Sequence, residues 1–424
     1  MKIILINRYL HPDESATSRM SSSLASAFAA RGFRVIGLAS RDLHNDRRQR
    51  LPADDRLGDL AIHRLATTRF GRSRLWGRAI DYLTFHLSAA LWTLLHARRG
   101  DVCIVCTDPP LLSVTLALPL RLKGARMVNW LHDLFPEVAL QLSVPGADRL
   151  GSTALRLRDW SLARARYNVA PIAAMTRLLG GRGVPAGTLV TIRHWADGDG
   201  IRPVGRKDNA LRRDWGLADK FVVGYSGNLG RAHEFDTILD AAERLKDRED
   251  IRFLFVGNGH KRAEVERRVR DHGLDNVVFR PLQPRERLAE SLGAADAHLV
   301  SLLPPLEPCI IPSKFYGILA AGRPTLFVGD LDGEVARAVD HGDCGHAVAI
   351  GDGEGLARHI VALREAPATC DRMGANARRL FEAEYTEGRG CAEWIQLMAS
   401  LLPQPESAGA RHTGEPLAQE SKAS

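Results

Sequence analysis

One lysine stands where a helix should repel it. The stretch Ile311-Pro312-Ser313-Lys314-Phe315-Tyr316-Gly317 continues through Ala320-Ala321-Gly322-Arg323-Pro324 and reads as a helix marked at both ends. Ser313 is placed to cap the start, Gly322 to close the end in a left-handed conformation, and Pro324 to stop continuation. Lys314 in the first turn opposes the positive end of the helix dipole, which an anion in front of it would relieve. Backbone N–H groups, a capping hydroxyl and an ammonium at one helix start make a phosphate site; the plain alternative is a solvated surface lysine. A second stretch, Ser226-Gly227-Asn228-Leu229-Gly230-Arg231-Ala232-His233, follows an apolar run and is glycine-rich. Such a loop lets its backbone approach phosphates, and Arg231 adds another cation. The third, His132-Asp133, closes the apolar run Met127 to Leu131. Ligands of α/β sheets bind beyond the carboxyl ends of strands, so this pair is a candidate site, with a helix-capping histidine as its alternative.

Elements that could hold these groups recur through the chain. Short apolar runs at 2–6, 34–39, 102–106, 127–131, 168–171 and 190–195 alternate with helical patterns at 21–31, 82–95, 111–122 and 155–165. The second half repeats the alternation, with strands at 220–225, 252–256, 277–280, 297–301, 325–328 and 346–350. Its helices fall at 235–245, 262–273, 286–293 and 355–364, followed by a terminal helix near 375–400. This order announces parallel, doubly wound sheets. A chain of 424 residues exceeds one ordinary core, so two domains are expected. The linker falls between Ala196 and about Asp208. The first loop, Arg8 to Glu14, has no G-x-G-x-x-G, which argues against dinucleotide binding at the usual place.

The formal charge of +8 points to anionic partners. Arginines are dispersed, and neither zinc-finger spacing nor an aromatic RNA motif is present, so nucleic acid is not the expected partner. Cys103-x-x-Cys106 lies inside one apolar run and reads as buried strand thiols in a reducing compartment. The opening residues form a short strand rather than a signal peptide, and no run is long enough for a transmembrane helix. Asp197-x-Asp199 and Asp330-x-Asp332 read as loop acids. Arg69, Arg72, Arg74 and Arg78 alternate with Phe70, Leu75 and Trp76 ahead of an apolar helix. Segment 69–96 therefore fits either a membrane-surface contact or a core helix with a basic lead-in.

Taken in order, Tyr9-Leu10-His11-Pro12, His132-Asp133-Leu134-Phe135-Pro136, His194-Trp195-Ala196-Asp197, Tyr225 to Gly230, Phe255-Val256-Gly257-Asn258-Gly259 and Pro312 to Pro324 resemble glycosyltransferase family 4. This is the retaining GT-B group that builds bacterial surface polysaccharides, and the likeness is to O-antigen and colanic-acid sugar transferases over roughly residues 1–400. The resemblance implies two Rossmann-like domains facing a cleft. Residues 1–200 would bind the acceptor and 201–385 the nucleotide sugar. Residues 386–402 would pack back on the first domain, with a disordered tail over 403–424. It also implies no metal or other cofactor, because protein cations and helix N-termini take the diphosphate charge. Two glutamates that the family commonly carries are missing, their places taken by Cys309 and Gly317; Glu307 is the nearest acid. Asn228 and His233 stand where the family often has arginine and lysine.

The expected activity is transfer from a nucleoside-diphosphate sugar, with UDP as the expected nucleotide, to a lipid-linked or saccharide acceptor with retention. His132, Arg231 and Lys314 are the expected catalytic residues. Gly227, Asn228, Gly230, Gly257, Gly259, Arg280, Pro281, Glu307, Ser313 and Tyr316 would hold the donor, and His11 and Asp133 would face the acceptor. The expected location is the inner face of the cytoplasmic membrane, reached through 69–96, with a polyprenyl-diphosphate acceptor. A GT-B nucleotide-sugar 2-epimerase and a non-catalytic GT-B scaffold are the alternatives.

Overall fold

Strands that are apolar on both faces need helices above and below them, and the chain builds two sheets of this kind. The computed structural model describes residues 2–44, 49–71, 75–144 and 146–401. The first sheet contains β1 (Lys2–Ile6), β2 (Arg34–Ser40), β3 (Asp54–Leu57), β4 (Leu60–Leu65), β5 (Val102–Cys106), β6 (Arg126–Trp130), β7 (Tyr167–Ala170) and β8 (Leu189–Thr191). Its order is β3-β4-β2-β1-β5-β6-β7-β8, parallel except for the β3–β4 hairpin. The second contains β9 (Phe221–Ser226), β10 (Ile251–Val256), β11 (Val277–Arg280), β12 (Ala297–Ser301), β13 (Thr325–Val328) and β14 (Gly345–Val348). All its pairings are parallel, in the order β11-β10-β9-β12-β13-β14.

The hairpin went unread in the sequence because Asp54-Asp55-Arg56 carries no apolar signal, as suits an edge strand. Its turn uses Gly58 at φ +58°. The first helix, α1 (Ala16–Ala30), starts before the expected Ser21. Thr17 and Ser18 are weak helix formers, and the Ser18 hydroxyl donates to the Asp13 carbonyl at 2.8 Å. The terminal helix is two helices, Pro367–Glu384 and Glu387–Ala399, broken at Tyr385. Thr386 restarts the second by accepting from the Arg389 N–H at 3.4 Å.

That break lets the chain cross back to the first domain. Trp394 of the last helix packs 5.0 Å from Trp130 at the end of β6, and Trp195 of the outgoing linker stacks on the same ring at 5.6 Å. Ala196 N–H donates to the Tyr385 carbonyl at 3.2 Å, so the two crossings lie side by side. Segment 69–96 contains the core helix of its second reading, with an apolar face left exposed. In α2 (Leu75–His96), Phe85, Ala89 and Trp92 enter the core, while Ile80, Leu83, Leu87, Leu91 and Leu95 stay exposed with Trp76 at 83%. Beside it lies α3 (Leu112–Leu122). No described helix is long and apolar enough to cross a membrane. All six cysteines are buried free thiols, and Cys103 and Cys106 face opposite cores. Arg72, Arg74 and the tail expected over 403–424 lie outside the described residues.

Burial holds several histidines neutral. It pushes His194 and His233 down to about 3, and His86 and His298 down to about 4. Unfolding returns each to about 6.5, so the unfolded chain binds more protons and stability is lost as pH falls below that value. The slope is about 1.4 kcal/mol per pH unit for each proton taken up. Urea midpoints should therefore fall steadily from about pH 6.5 to 4, and less steeply in a His194→Gln/His298→Gln variant. An unchanged slope in that variant would contradict the assignment.

Candidate active site

Between the carboxyl ends of the two sheets lies a cleft of about 920 Å³, walled by both domains. Its first-domain wall includes His11, Arg19, Asp133 and Trp195; the second domain contributes Gly227, Asn228, His233, Ser313, Lys314 and Tyr316. Lys314 opens a helix that runs only to Ala320. Its ammonium sits 3.8 Å over the Tyr225 ring, donates to the Tyr225 hydroxyl, and lies 3.3 Å from His233 Nε2. Both partners accept, for definite reasons. The Tyr225 hydroxyl donates onward to the Asn228 carbonyl at 3.0 Å. His233 Nδ1 lies 2.5 Å from the Ser301 carbonyl, so Nδ1 carries the proton and Nε2 keeps its lone pair. Among the described residues no carboxylate is within ion-pair distance of Lys314. Burial pushes its ammonium well below the usual lysine range. A charged lysine here has neutral acceptors and an uncompensated field directed at the cleft.

The glycine loop is held by backbone packing. Gly227 N–H donates to Val256 O at 2.8 Å and Leu229 N–H to Asn258 O at 2.9 Å. Gly257, at φ +141°, comes so close that a Cβ would lie 2.0 Å from the Gly227 carbonyl oxygen. A Cβ on Gly259 would meet the Leu229 backbone at 2.5 Å. These two glycines thus support the loop from behind and do not line the cleft, correcting the expected place at a base pocket.

Other expectations shift too. His132 is buried and does not line the cleft. Its Nδ1 lies 3.1 Å from His194 Nε2, its ring packs 4.7 Å from Trp130, and its Nε2 has no partner. Burial, with His194 beside it, pushes it well below the ordinary histidine value. Asp133, one residue on, reaches the cleft surface instead. The surrounding walls and the charge of Asp108 raise its carboxyl to about 6. Arg231 is exposed and is not among the residues lining the cleft, so His233 and not Arg231 stands beside Lys314. Gly230 lies outside the lining as well, with the Asn228 side chain over it.

Ser313 lines the cleft, but its side chain makes no cap hydrogen bond. Arg280 donates to its neighbour's carbonyl, the Phe279 oxygen at 3.0 Å, and Pro281 is exposed; Leu282 lines the cleft in their place. Glu307 is buried away from the cleft. Its Oε2 accepts from the Glu334 N–H at 3.3 Å, at the start of the helix Glu334–His341, and burial raises it to about 7. Of the two positions that lack the family's glutamates, Cys309 is buried and Gly317 lines the cleft. His11, Tyr316 and Asn228 do line it.

Sequence reasoning left Tyr225, His194, Arg19, Asp197 and Arg285 off the site. Asp197 and Arg285 form an ion pair at 3.1 Å that ties the linker to the second domain. Asp197 sits in a short acid pattern, but nothing local marks Arg285 as its partner. Asp332 N–H donates to Asp330 Oδ1 at 2.9 Å, a loop contact. Among the described residues no cluster of histidine, cysteine or acid groups could hold a metal ion.

Two parallel-sheet domains facing a cleft, with an uncompensated cation at a glycine loop, define a glycosyltransferase of the GT-B fold. Residues 17–199 match the family model Glycosyltransferase Family 4 and residues 207–380 match Glycosyl transferases group 1. The chain belongs to glycosyltransferase family 4. It is 28% identical over 341 residues to WbjE of Pseudomonas aeruginosa, named as a probable glycosyltransferase, covering 79% of this chain and 84% of that one. WcaI of Escherichia coli strain K12, named as a putative colanic acid biosynthesis glycosyl transferase, is 29% identical over 223 residues, 51% of this chain and 54% of its own. Anabaena HepE, solved with UDP-glucose, superposes with a TM-score of 0.70 at 16% identity, over 94% of this chain and all (100%) of that one.

Substituting Gly257→Ala should push the Gly227 carbonyl, and the loop with it, toward the cleft. The expected result is a folded protein with nucleotide affinity lowered by roughly tenfold or more, given the about 1–3 kcal/mol cost of such backbone strain. Calorimetric titration with UDP, set beside the far-UV spectrum, checks it.

Proposed function

We propose that the protein transfers a hexosyl or N-acetylhexosaminyl group from a UDP-sugar to a lipid-linked or saccharide acceptor in bacterial surface-polysaccharide assembly, with retention. The observation that carries this reading is the Lys314 ammonium, held by neutral acceptors and facing the cleft without a carboxylate. A departing nucleoside diphosphate supplies the missing negative charge, and stabilising it is what the step requires. The name of one relative, WcaI, favours a polysaccharide pathway, and HepE holds UDP-glucose on the same fold.

In the proposed step the bond from the anomeric carbon to the β-phosphate oxygen breaks. The acceptor oxygen bonds to that carbon on the same face, and its proton passes to the departing phosphate. Lys314 stabilises the phosphate charge without a metal, and the Gly227–Asn228 backbone lies alongside. Asp133, which shares the first-domain wall with Asp13 and Glu14, binds acceptor hydroxyls with His11. His132 acts indirectly, its ring anchored by Trp130 and His194 next to Asp133 in the chain.

The acceptor is proposed to be a sugar on an isoprenoid diphosphate, with the protein resting on the inner face of the membrane. What supports this is the exposed apolar face of α2, spaced at 76, 80, 83, 87, 91 and 95, as a surface-lying helix would present it.

Lys314→Ala should lower turnover by about two to three orders of magnitude, the usual loss for a charge-stabilising group. UDP release from the donor that gives the largest thermal shift in a sugar-nucleotide panel is the assay; unchanged turnover in a folded variant would sink the reading. A diphosphate also favours the charged lysine, so binding raises the Lys314 pKa and takes up protons. UDP affinity should therefore weaken as pH rises through the lowered pKa of free Lys314. Calorimetry in buffers of different ionisation enthalpy should register proton uptake, and Lys314→Ala should abolish it.

A further inference from the structure

A second cavity, of about 730 Å³, lies at the opposite pole of the first sheet, where β1, β2 and β6 begin and α2 ends. Five cations line it, Lys2, Arg34, Arg98, Arg99 and Arg126, against the single carboxylate of Asp101. That carboxylate is already engaged: Lys2 Nζ lies 3.4 Å from it, and the backbone N–H groups of Lys2 and Arg98 donate to it at 3.0 Å each. Arg126 donates to the Leu401 carbonyl. Arg34, Arg98 and Arg99 are exposed, and among the described residues none of them has a carboxylate within ion-pair distance. Cations gathered around one hollow repel one another unless an anion enters it.

The cavity is continuous with an apolar surface. Leu95, at its rim, is 67% exposed and ends the α2 stripe that begins at Trp76. The neighbouring α3 adds Leu118 and Leu122, exposed at 58% and 67%. A helix of 22 residues extends about 33 Å, so greasy side chains over that length end in a basic hollow.

We propose that this cavity receives the phosphate of an anionic phospholipid headgroup while the α2–α3 leucines enter the acyl boundary beside it. A membrane offers both surfaces in that order, apolar chains next to a layer of phosphates, whereas free phosphate would leave the leucines uncovered. The inference rests on the peripheral-membrane reading above and adds to it the lipid charge and the residues that read it. It also orients the enzyme, since the headgroup site and the transfer cleft sit at opposite ends of the first sheet.

The test is flotation of the full chain with vesicles of phosphatidylcholine, alone or mixed with phosphatidylglycerol. Binding should require phosphatidylglycerol. Arg98→Gln/Arg99→Gln should weaken it roughly thirtyfold, about fivefold per arginine. Arg267→Gln/Arg270→Gln, which removes the same charge from an exposed helix of the other domain, should weaken it far less. Equal effects of the two pairs would overturn the cavity assignment while leaving general membrane attraction. Leu87→Ser/Leu91→Ser should also release the protein. If that pair instead dissolves a dimer formed without vesicles, a second copy is the occupant and the proposal is wrong. Absence of binding to any vesicle would remove the peripheral-membrane reading itself. UDP-dependent thermal shifts, expected to be unchanged in all three variants, report the donor site separately.

Discussion

The central constraint in this molecule is a lysine kept without a negative neighbour. Lys314 could have been neutralised by any nearby carboxylate; it is held by a phenol, a neutral imidazole and an aromatic face. Each of these depends on another part of the second domain. Tyr225 is set by the end of β9, the His233 tautomer by the last carbonyl of β12, and the loop between them by two glycines following β10. A carboxylate partner would raise the stability of the empty protein and reduce what an anionic ligand gains by binding. The arrangement instead leaves desolvation uncompensated in the free state, so a phosphate entering the cleft removes a cost as well as adding an attraction.

Much of this was legible in the chain. The alternation of short apolar runs with helical patterns marked two parallel sheets, because burial on both faces erases polar alternation. Lys314 stood out because its position contradicts the helix dipole. The side-chain directions were not legible. His132 and Asp133 are consecutive, and residues just past a strand can point either way; here the acid reaches the cleft and the imidazole turns inward toward His194. Arg231 and His233 posed the same problem within a glycine loop, where no periodicity says which residue faces in. Gly257 and Gly259 were noticed for the right property, a close backbone approach, but what approaches them is the Gly227–Leu229 chain itself.

The missing glutamates show how far a family pattern reaches. At Gly317 the cleft wall has no side chain, and at Cys309 a buried thiol packs against the first domain. Glu307, near enough in sequence to be taken for a substitute, caps a neighbouring helix. The fold survives these changes, and the proposed phosphate recognition does not need those glutamates, because it draws on backbone and on one lysine. Recognition of sugar and ribose hydroxyls draws on individual carboxylates, so it can differ between chains with the same architecture.

The paired crossings at Ala196 and Tyr385 carry a topological consequence. Lys2 and Leu401 border one hollow on the first half, and everything between the crossings belongs to the second. The second half is thus a loop insertion, entered and left at neighbouring points of its host. Two such segments side by side make one joint between the halves. Labels attached near residues 2 and 401 would both report on the first half, although nearly the whole chain separates them.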